Sequence, residues 1–320
     1  MKSTLLRETV VVLGTGSIGK RHLAIFQEMA QVQPVAVSVR SESGHTLEES
    51  AAALAVIATD TGRHAKDALR ALHLGMDLLV EKPLAVDARQ ARQIHEEAMR
   101  LSRKVYVGCV LRFSESLGRF RENLPQIGKV HAVQIECRSY LPDWRPNRPY
   151  QDSYSARAGE GGVLRDLIHE IDYAGWIFGW PTRLQARLGN LGRLGIAAEE
   201  TAQLMWETPE GATVSVGLDY LTRPTRRGMV VSGERGTLEW DGVAQTVRLF
   251  VTGSLAKEFK SSQTRDEMFA AQARAFLEAV AGRPDPRLAT GEEGVKALAI
   301  CDAARKASVG RREEPVESFS

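Results

Sequence analysis

The sequence predicts an α/β protein of two domains, the first built on a parallel sheet and the second, of α+β type, on a mainly antiparallel open sheet. A chain of 320 residues suits two domains of about 100–200 residues each. Strand patterns alternate with helical patterns up to Val110, which is typical of a parallel sheet with crossover helices. Beyond residue 129 the strand patterns lack intervening helices, which indicates antiparallel pairing. We expect domains at 1–118 and 119–320, with C-terminal helices packing back on the first domain.

The composition indicates a soluble globular protein. Hydrophobic residues make up 43% of the chain and charged residues 26%. No apolar run approaches the ~20 residues that cross a bilayer, so we expect no membrane partner. The 42 basic and 40 acidic residues are spread along the chain, which argues against a nucleic-acid partner. Basic clusters at Arg138–Arg148 and Arg223–Arg227 are local exceptions.

The cysteines and the N-terminus favour a cytoplasmic location. Met1–Glu8 lacks the apolar core of a secretory signal. The three cysteines, Cys109, Cys137 and Cys301, are far apart and form no C-x-x-C pair, so neither a disulfide framework nor a metal site is predicted. We expect them to be small buried hydrophobic residues.

A glycine turn lies between the first strand and the first helix. The apolar run Val10–Leu13 is followed by three glycines at G-x-G-x-x-G spacing, and a helical stripe begins at Ile18. In this context the helix N-terminus is predicted to hold the pyrophosphate of a dinucleotide, whereas glycines elsewhere serve ordinary turns. The first domain is therefore predicted to be a Rossmann domain. Its candidate cofactor-binding residues here are Gly14, Thr15, Gly16, Ser17, Ile18 and Gly19.

The end of the second strand, Pro34–Val39, bears on the choice between NAD and NADP. Val39 stands where an acidic ribose-binding residue is usual. Arg40 follows it and suits a 2′-phosphate, which slightly favours NADP. The alternative is an exposed loop arginine.

Two further strand ends contribute candidate cofactor residues. Thr59 and His64 follow the strand Ala53–Ala58, although His64 also suits a solvated helix start. Glu81 and Lys82 directly follow the strand Asp77–Val80. The next residue is proline, which disfavours helix at Lys82, so its amine is predicted to point at the cofactor crevice. The alternative is a solvated lysine, which is usual at a strand end.

The second domain combines strands with a few helices. The pattern predicts a helix over Leu117–Leu124 and a strand over Lys129–Cys137. Amphipathic helices are predicted over Arg265–Gly282 and Gly291–Ser308, and a frayed tail over Gly310–Ser320. The remaining predicted strands are Arg183–Leu191, Glu200–Glu207, Ala212–Leu221, Met229–Ser232, Gly236–Asp241 and Thr246–Val251.

A helix over Val163–Phe178 carries polar residues opposite its apolar face. Asp166, His169 and Tyr173 fall on that polar side, so their side chains are predicted to avoid the core. Residues three apart on a helix are neighbours, so Asp166 and His169 can act on one substrate. A merely solvated face has the same spacing.

An aromatic and basic loop, Arg138–Tyr150, precedes this helix. Aromatic faces stack on sugars or bases and arginines bind phosphate or carboxylate, which favours an anionic sugar or nucleotide sugar. An inter-domain loop or an oligomer contact is the alternative. The candidate substrate-binding residues are Arg112, Tyr140, Trp144 and Tyr173.

Three motifs together resemble the glucose–fructose oxidoreductase/inositol dehydrogenase (Gfo/Idh/MocA) family over nearly the whole chain. They are Gly14–Gly19, Glu81-Lys82-Pro83 and the segment Gly159–Asp172. The resemblance implies NAD(P)-dependent hydride transfer at a hydroxyl-bearing carbon, usually of a sugar or cyclitol.

The same resemblance implies that Lys82, Asp166 and His169 serve catalysis. Histidine suits proton transfer because its ordinary pKa is ~6.5, so we assign the acid/base role to His169 and oxygen binding to Lys82. Asp166 precedes His169 by three residues rather than the commoner four, and it is assigned to orient the substrate or tune the pair. The loop Tyr140–Trp144 resembles that of members in surface-polysaccharide sugar pathways.

Two other functions are compatible with this fold. One is a cofactor-binding regulator without catalysis, against which Lys82 and His169 argue. The other is a structural oligomer, because family members pair through the open sheet. We expect a homodimer or homotetramer with a small sugar-like substrate.

Overall fold

The structure is a computed structural model that describes residues 8–38 and 46–318. Its strands are β1 Glu8–Leu13, β2 Val32–Val37, β3 Leu54–Ile57, β4 Asp77–Val80, β5 Val105–Val107, β6 Val130–Arg138, β7 Arg183–Gly189, β8 Thr201–Glu207, β9 Thr213–Asp219, β10 Arg226–Gly233, β11 Gly236–Asp241, β12 Thr246–Val251, β13 Ser254–Lys260, β14 Ala289–Thr290 and β15 Glu314–Pro315. Its helices are α1 Ser17–Gln27, α2 His64–His73, α3 Ala88–Arg100, α4 Glu115–Asn123, α5 Val163–Asp166, α6 His169–Phe178, α7 Arg265–Val280 and α8 Gly291–Gly310. Within these described ranges, no helix is long and apolar enough to cross a membrane.

The first of two compact units contains Met1–Phe113 and Thr264–Val295. Its sheet has the order β14-β5-β4-β3-β1-β2, in which β1 to β5 pair in parallel and β14 pairs with β5 antiparallel. β1 and β3 are buried on both faces, which explains their continuous apolar sequences. The predicted α/β class and parallel sheet are confirmed, and only the two-residue strand β14 lacked a sequence pattern.

Helix α7 lies within the range 119–320 of the expected second domain and is one of the C-terminal helices expected to pack back on the first. It belongs to the first unit. Phe269 and Phe276 of α7 are buried in one core with Val12 and Phe26. A capping box begins the helix, in which Thr264 and Glu267 each bond the other's backbone N–H. The apolar face of α7 therefore completes the core beneath the parallel sheet.

The second unit contains Ser114–Gln263 and Lys296–Ser320. Its nine-stranded sheet has the order β13-β12-β11-β10-β6-β9-β8-β7-β15, and every neighbouring pair is antiparallel except β6 and β9. Along β6, Val133, Ile135 and Cys137 are buried whereas Gln134 is exposed, so one face of the sheet packs and the other is open. The predicted mainly antiparallel open sheet is confirmed.

Two predictions for this unit are wrong in part. The tail is not frayed at β15, because Glu314 pairs with Leu184 and Val316 N donates to Thr182 O over 2.8 Å. The single helix over Val163–Phe178 is instead two helices, because the backbone at Leu167 leaves the helical region at φ −100° and ψ 32°. The break separates Asp166, which ends α5, from His169, which begins α6.

Candidate functional site

The glycine turn in the first unit has two positions that require glycine and one that is open. Gly14 has φ +110°, and a Cβ there would lie 2.5 Å from the carbonyl oxygen of Ala58. A Cβ at Gly19 would overlap the carbonyl oxygen of Gly14. Gly16 is exposed, and a Cβ there would meet nothing within 4 Å. The turn is therefore tight where strand meets helix and open at Gly16.

The start of α1 suits a phosphate ligand. Gly16 is its N-cap and offers no side-chain oxygen to the first amides, and the first turn carries no acidic residue. Thr15 and Ser17 are exposed beside it, and Ile18 is half-buried. The open glycine and uncapped amides fit the pyrophosphate of a dinucleotide.

The residues predicted to select NADP cannot be placed. The described chain continues past β2 to Ser38, and Val39 and Arg40 lie outside the described residues. The 2′-phosphate role of Arg40 stays a prediction from sequence.

Glu81 and Lys82 follow β4 as predicted, and His22 of α1 contacts Glu81. The Glu81 carboxylate accepts from His22 Nε2 over 2.7 Å and from the Lys82 backbone N over 3.3 Å, and the Lys82 residue is half-buried. Burial acts to raise the pKa of Glu81, but His22 and then Lys82 outweigh it and leave that pKa lowered. Glu81 is thus held as a carboxylate next to Lys82. Sequence reasoning missed His22, which interrupts the apolar stripe of α1.

His64 is buried rather than solvated, with 1% of its surface exposed. Its Nδ1 lies 2.8 Å from Pro83 O, and its Nε2 lies 3.0 Å from Thr59 O. Burial lowers the pKa of His64 against the opposing effect of these backbone carbonyls. The solvated interpretation of His64 is therefore wrong. The ring links the strand end at Thr59 to the backbone that follows Lys82, and a cofactor contact of His64 stays a prediction.

Thr59 and Arg112, two other predicted site residues, form hydrogen bonds within the first unit. Thr59 Oγ1 donates to Asp67 Oδ2 over 2.9 Å. Arg112 is 1% exposed and its Nη1 donates to Glu293 Oε1 over 3.0 Å. A buried guanidinium needs such a partner, so this ion pair gives no support to the predicted substrate-binding role of Arg112.

In the second unit, Asp166, His169 and Tyr173 are all buried. Their exposed fractions are 3%, 8% and 0%, so the prediction that these side chains avoid the core is wrong. Helices α5 and α6 are covered on nearly all sides, and the Asp166 carboxylate has a partner inside the unit. Tyr220 OH donates to Asp166 Oδ2 over 2.6 Å.

Tyr173 packs its ring edge-on against Trp240, with centroids 5.6 Å apart. Its hydroxyl is buried and has no hydrogen-bond partner among the described residues. Burial raises the pKa of Tyr173 well above its ordinary value, and the charge of Glu170 adds to this. The hydroxyl therefore remains a protonated donor, and its predicted contact with substrate stays a prediction.

A buried ion pair beside these residues was also missed. Arg227 Nε donates to Glu170 Oε1 over 2.8 Å, and the Glu170 side chain is completely buried. Burial and then the charge of Glu170 raise the pKa of the Cys137 thiol to about 12. Glu170 lies three residues after Leu167 and four before Ala174, and this position is the signal, because a charged side chain among apolar neighbours on a helix needs a partner. Like Cys109 and Cys301, Cys137 is buried, as predicted.

The aromatic loop is held by Arg223, which lies after β9 and outside the loop. Arg223 donates from Nε and Nη2 to Asp143 over 2.8 and 3.0 Å, and its guanidinium lies 3.5 Å from the ring centre of half-buried Tyr140. Trp144, in the 3₁₀ turn Leu141–Trp144, is 37% exposed. Trp144 therefore presents aromatic surface, whereas the charge of Arg223 is neutralised by Asp143.

The sequence-predicted residues thus fall in two sets. The first unit places the glycine turn against the end of β3, where a Cβ at Gly14 would lie 2.9 Å from Thr59 N. It groups Thr59, His64, Glu81 and Lys82 through the bonds above. The second unit holds Asp166, His169 and Tyr173 on α5 and α6, with Tyr220, Glu170 and Arg227 as additions.

Known proteins match both halves of the chain. Residues 9–109 match the model of the oxidoreductase family with an NAD-binding Rossmann fold, and residues 125–239 match the GFO/IDH/MocA C-terminal domain. Inositol 2-dehydrogenase of Rhizobium meliloti (strain 1021) is 26% identical over 333 residues, covering 94% of this chain and 97% of that protein.

Solved structures share the fold. Levoglucosan dehydrogenase in complex with NADH and L-sorbose has a TM-score of 0.87 at 16% identity, covering 98% of this chain and 100% of the other. The WlbA dehydrogenase from Bordetella pertussis in complex with NADH and UDP-GlcNAcA has a TM-score of 0.82 at 18% identity, covering 98% and 99%. With both domain models matched in order, the chain belongs to the GFO/IDH/MocA family of oxidoreductases with an NAD-binding Rossmann fold.

Proposed function

We propose that this oxidoreductase moves a hydride between NAD(P) and a hydroxyl-bearing carbon of a sugar, cyclitol or nucleotide sugar. The proposal rests on half-buried Lys82 directly after β4 in the first unit and, in the second, on His169 at the start of α6, three residues after Asp166, whose carboxylate is held by Tyr220. The name of the inositol dehydrogenase relative supports a polyol substrate. A non-catalytic regulator or structural oligomer has no use for these groups.

Oxidation of an alcohol requires a proton to leave the oxygen as the carbon gives up its hydride. The nicotinamide, when bound, supplies the hydride acceptor or donor. Lys82 binds the reacting oxygen and helps its proton move. His169 takes that proton or returns it, and Asp166 orients the substrate or tunes the pair.

Arg40 supports NADP as the slightly preferred cofactor. A guanidinium makes charge-assisted contacts to a 2′-phosphate that have no counterpart in NAD. The argument is one of sequence position, about 20 residues after the glycine turn. Equal affinities for NAD and NADP in calorimetry would contradict it.

A nucleotide sugar of a surface-polysaccharide pathway is the narrower substrate that we favour. The exposed indole of Trp144 and the ring of Tyr140 can stack on a sugar or base. The complex of WlbA with UDP-GlcNAcA supports this class. Asp143 neutralises the charge of Arg223. An anionic group of the substrate would therefore bind other hydrogen-bond donors, or it would displace the Asp143 carboxylate from Arg223.

We further propose a cytoplasmic homodimer or homotetramer. The open face of the second sheet contains a depression of about 690 Å³ near Gly217 and Gly228, a shape that can receive a second copy. Three buried cysteine thiols suit a reducing compartment. Light scattering of the purified protein measures the subunit number.

The test is a panel of sugars, cyclitols and nucleotide sugars scanned for a change in NAD(P)H absorbance, followed by single-turnover kinetics. Lys82→Ala and His169→Ala should each lower kcat by ~10²–10⁴-fold, and His169→Ala should still bind cofactor. The exposed residues Lys66 and His131 provide matched controls, Lys66→Ala and His131→Ala. Full rates in both site variants would favour the non-catalytic alternative.

A further inference from the structure

Tyr220 and Asp166 form a polar contact in the core of the second unit. Tyr220 directly follows β9, is 0% exposed, and donates its phenol proton to Asp166 Oδ2 over 2.6 Å. Its backbone is fixed on both sides, because its N–H donates to Glu200 O over 2.9 Å and its carbonyl accepts from Leu141 N over 3.0 Å. The hydroxyl thus has little freedom to leave the carboxylate.

The aromatic ring of Tyr220 is also supported. Trp144 packs edge-on against it, with centroids 5.4 Å apart and an interplanar angle of 88°. The Trp144 indole N–H donates to Ser139 Oγ over 2.9 Å, which fixes the indole in turn. The loop that carries Trp144 therefore helps to determine where the phenol oxygen lies.

The phenol of Tyr220 is held in its protonated, donating form. Burial, and then the charge of Asp166, raise the pKa of Tyr220 well above its ordinary value. Asp166 needs such support because it is the last residue of the short helix α5, and the backbone at Leu167 leaves the helical region. No continuous helix fixes its carboxylate.

We propose that Tyr220 is a positioning residue. Through its bond to Oδ2, it holds the Asp166 carboxylate in the orientation that the reaction requires. The inference rests on the proposed function, in which Asp166 serves the reaction. With Oδ2 held, rotation about the Cβ–Cγ bond is restricted, and the direction of the second oxygen is set. Tyr220 itself contacts no reacting atom in this role.

Tyr220→Phe tests the role, because it removes only the hydroxyl and keeps the ring against Trp144. The expected result is a kcat lowered about 10- to 100-fold with KM and cofactor affinity nearly unchanged, the loss typical of a removed orienting bond. In an Asp166→Asn background, Tyr220→Phe should lower kcat much less, because the charge it orients is gone. The matched control is Tyr106→Phe, which removes the hydroxyl of a half-buried tyrosine on β5 of the first unit.

Thermal unfolding and near-ultraviolet circular dichroism of each variant verify its fold independently of activity. If Asp166→Asn lowers kcat while Tyr220→Phe leaves it unchanged, the positioning role is overturned and the proposed function stands. If both variants keep full kcat, the proposed role of Asp166 falls as well. Equal losses of kcat from Tyr220→Phe in both backgrounds would mean that the hydroxyl acts apart from Asp166, which also overturns the inference.

Discussion

Arg227 and Glu170 form an ion pair whose carboxylate is wholly inaccessible to solvent. Arg227 lies opposite Cys137 in the pairing of β10 with β6, and its Nε donates to Glu170 Oε1 over 2.8 Å. The Glu170 side chain is 0% exposed and that of Arg227 is 25% exposed. The pair therefore links α6, which begins with His169, to the second sheet.

Removing the arginine leaves a buried negative charge without its donor. Arg227→Met should lower the free energy of unfolding by about 3 kcal/mol, the typical loss when one partner of a buried pair is removed. Adding Glu170→Gln should recover part of that loss. Chemical denaturation followed by circular dichroism measures both changes.

An exposed ion pair of the second unit provides the control. Arg183 and Glu313 lie 2.6 Å apart with 55% and 45% of their side chains exposed, so Arg183→Met should cost less than about 1 kcal/mol. Equal losses from Arg227→Met and Arg183→Met would show that burial of Glu170 does not govern the energy of its pair.

The buried ring of His64 should make the first unit sensitive to acid. Because burial lowers the pKa of His64 in the folded state, the unfolded chain takes up this proton first, near its ordinary pKa of ~6.5. The contribution of His64 to stability is therefore present above ~6.5 and declines as the pH falls. His64→Gln lacks this proton uptake but keeps an N–H for a backbone carbonyl.

Unfolding free energies of both proteins from pH 7.5 to 5.5 measure the effect. The deficit of His64→Gln should shrink on acidification, by at most about 1.4 kcal/mol per pH unit. The lowered pKa of Glu81 affects the unfolding free energy only at more acidic pH, below the ordinary pKa of 4.5 for this group. A deficit that stays constant over this range would show that His64 keeps its charge state on folding.

Removal of the Tyr173 hydroxyl distinguishes a structural role of this group from a role in substrate binding. A buried donor without a partner among the described residues costs free energy, so Tyr173→Phe should leave the free protein as stable as before or raise its unfolding free energy by about 1 kcal/mol. If the hydroxyl binds substrate as predicted, KM should rise with little change in stability. Thermal unfolding and steady-state kinetics of the same preparation distinguish these effects. A large loss of stability would instead indicate a bound water or another partner at this hydroxyl.

Local sequence was sufficient for the features that depend on neighbouring residues. The strand β1, the turn at Gly14 and the start of α1 follow from a valine run and glycine spacing within one short stretch. The alternation of strands and helices likewise predicted the parallel sheet, because each strand–helix–strand crossover is one continuous segment of the sequence.

Long-range contacts were beyond this reasoning. His22 meets Glu81 across 59 positions, and Tyr220 meets Asp166 across 54. Helical periodicity also treats polar residues as solvated, an assumption that fails where a helix is covered on nearly all sides and its charges have buried partners. That is why Asp166 was assigned to an exposed face that does not exist.

The glycine turn allows cofactor binding to be removed without unfolding the protein. Gly16 has φ −70°, is exposed, and a Cβ added there would meet no other atom within 4 Å, so Gly16→Val should fold normally. The added side chain would occupy the open space through which a pyrophosphate approaches the amides of α1, and affinity for NAD(H) and NADP(H) should fall at least about 100-fold. Gly19→Ala is the contrasting variant, because its Cβ would overlap Gly14 O, and it should lower the melting temperature. Calorimetric titration gives the affinities and circular dichroism the fold. Unchanged affinity in a folded Gly16→Val protein would refute the assignment of this turn to the cofactor.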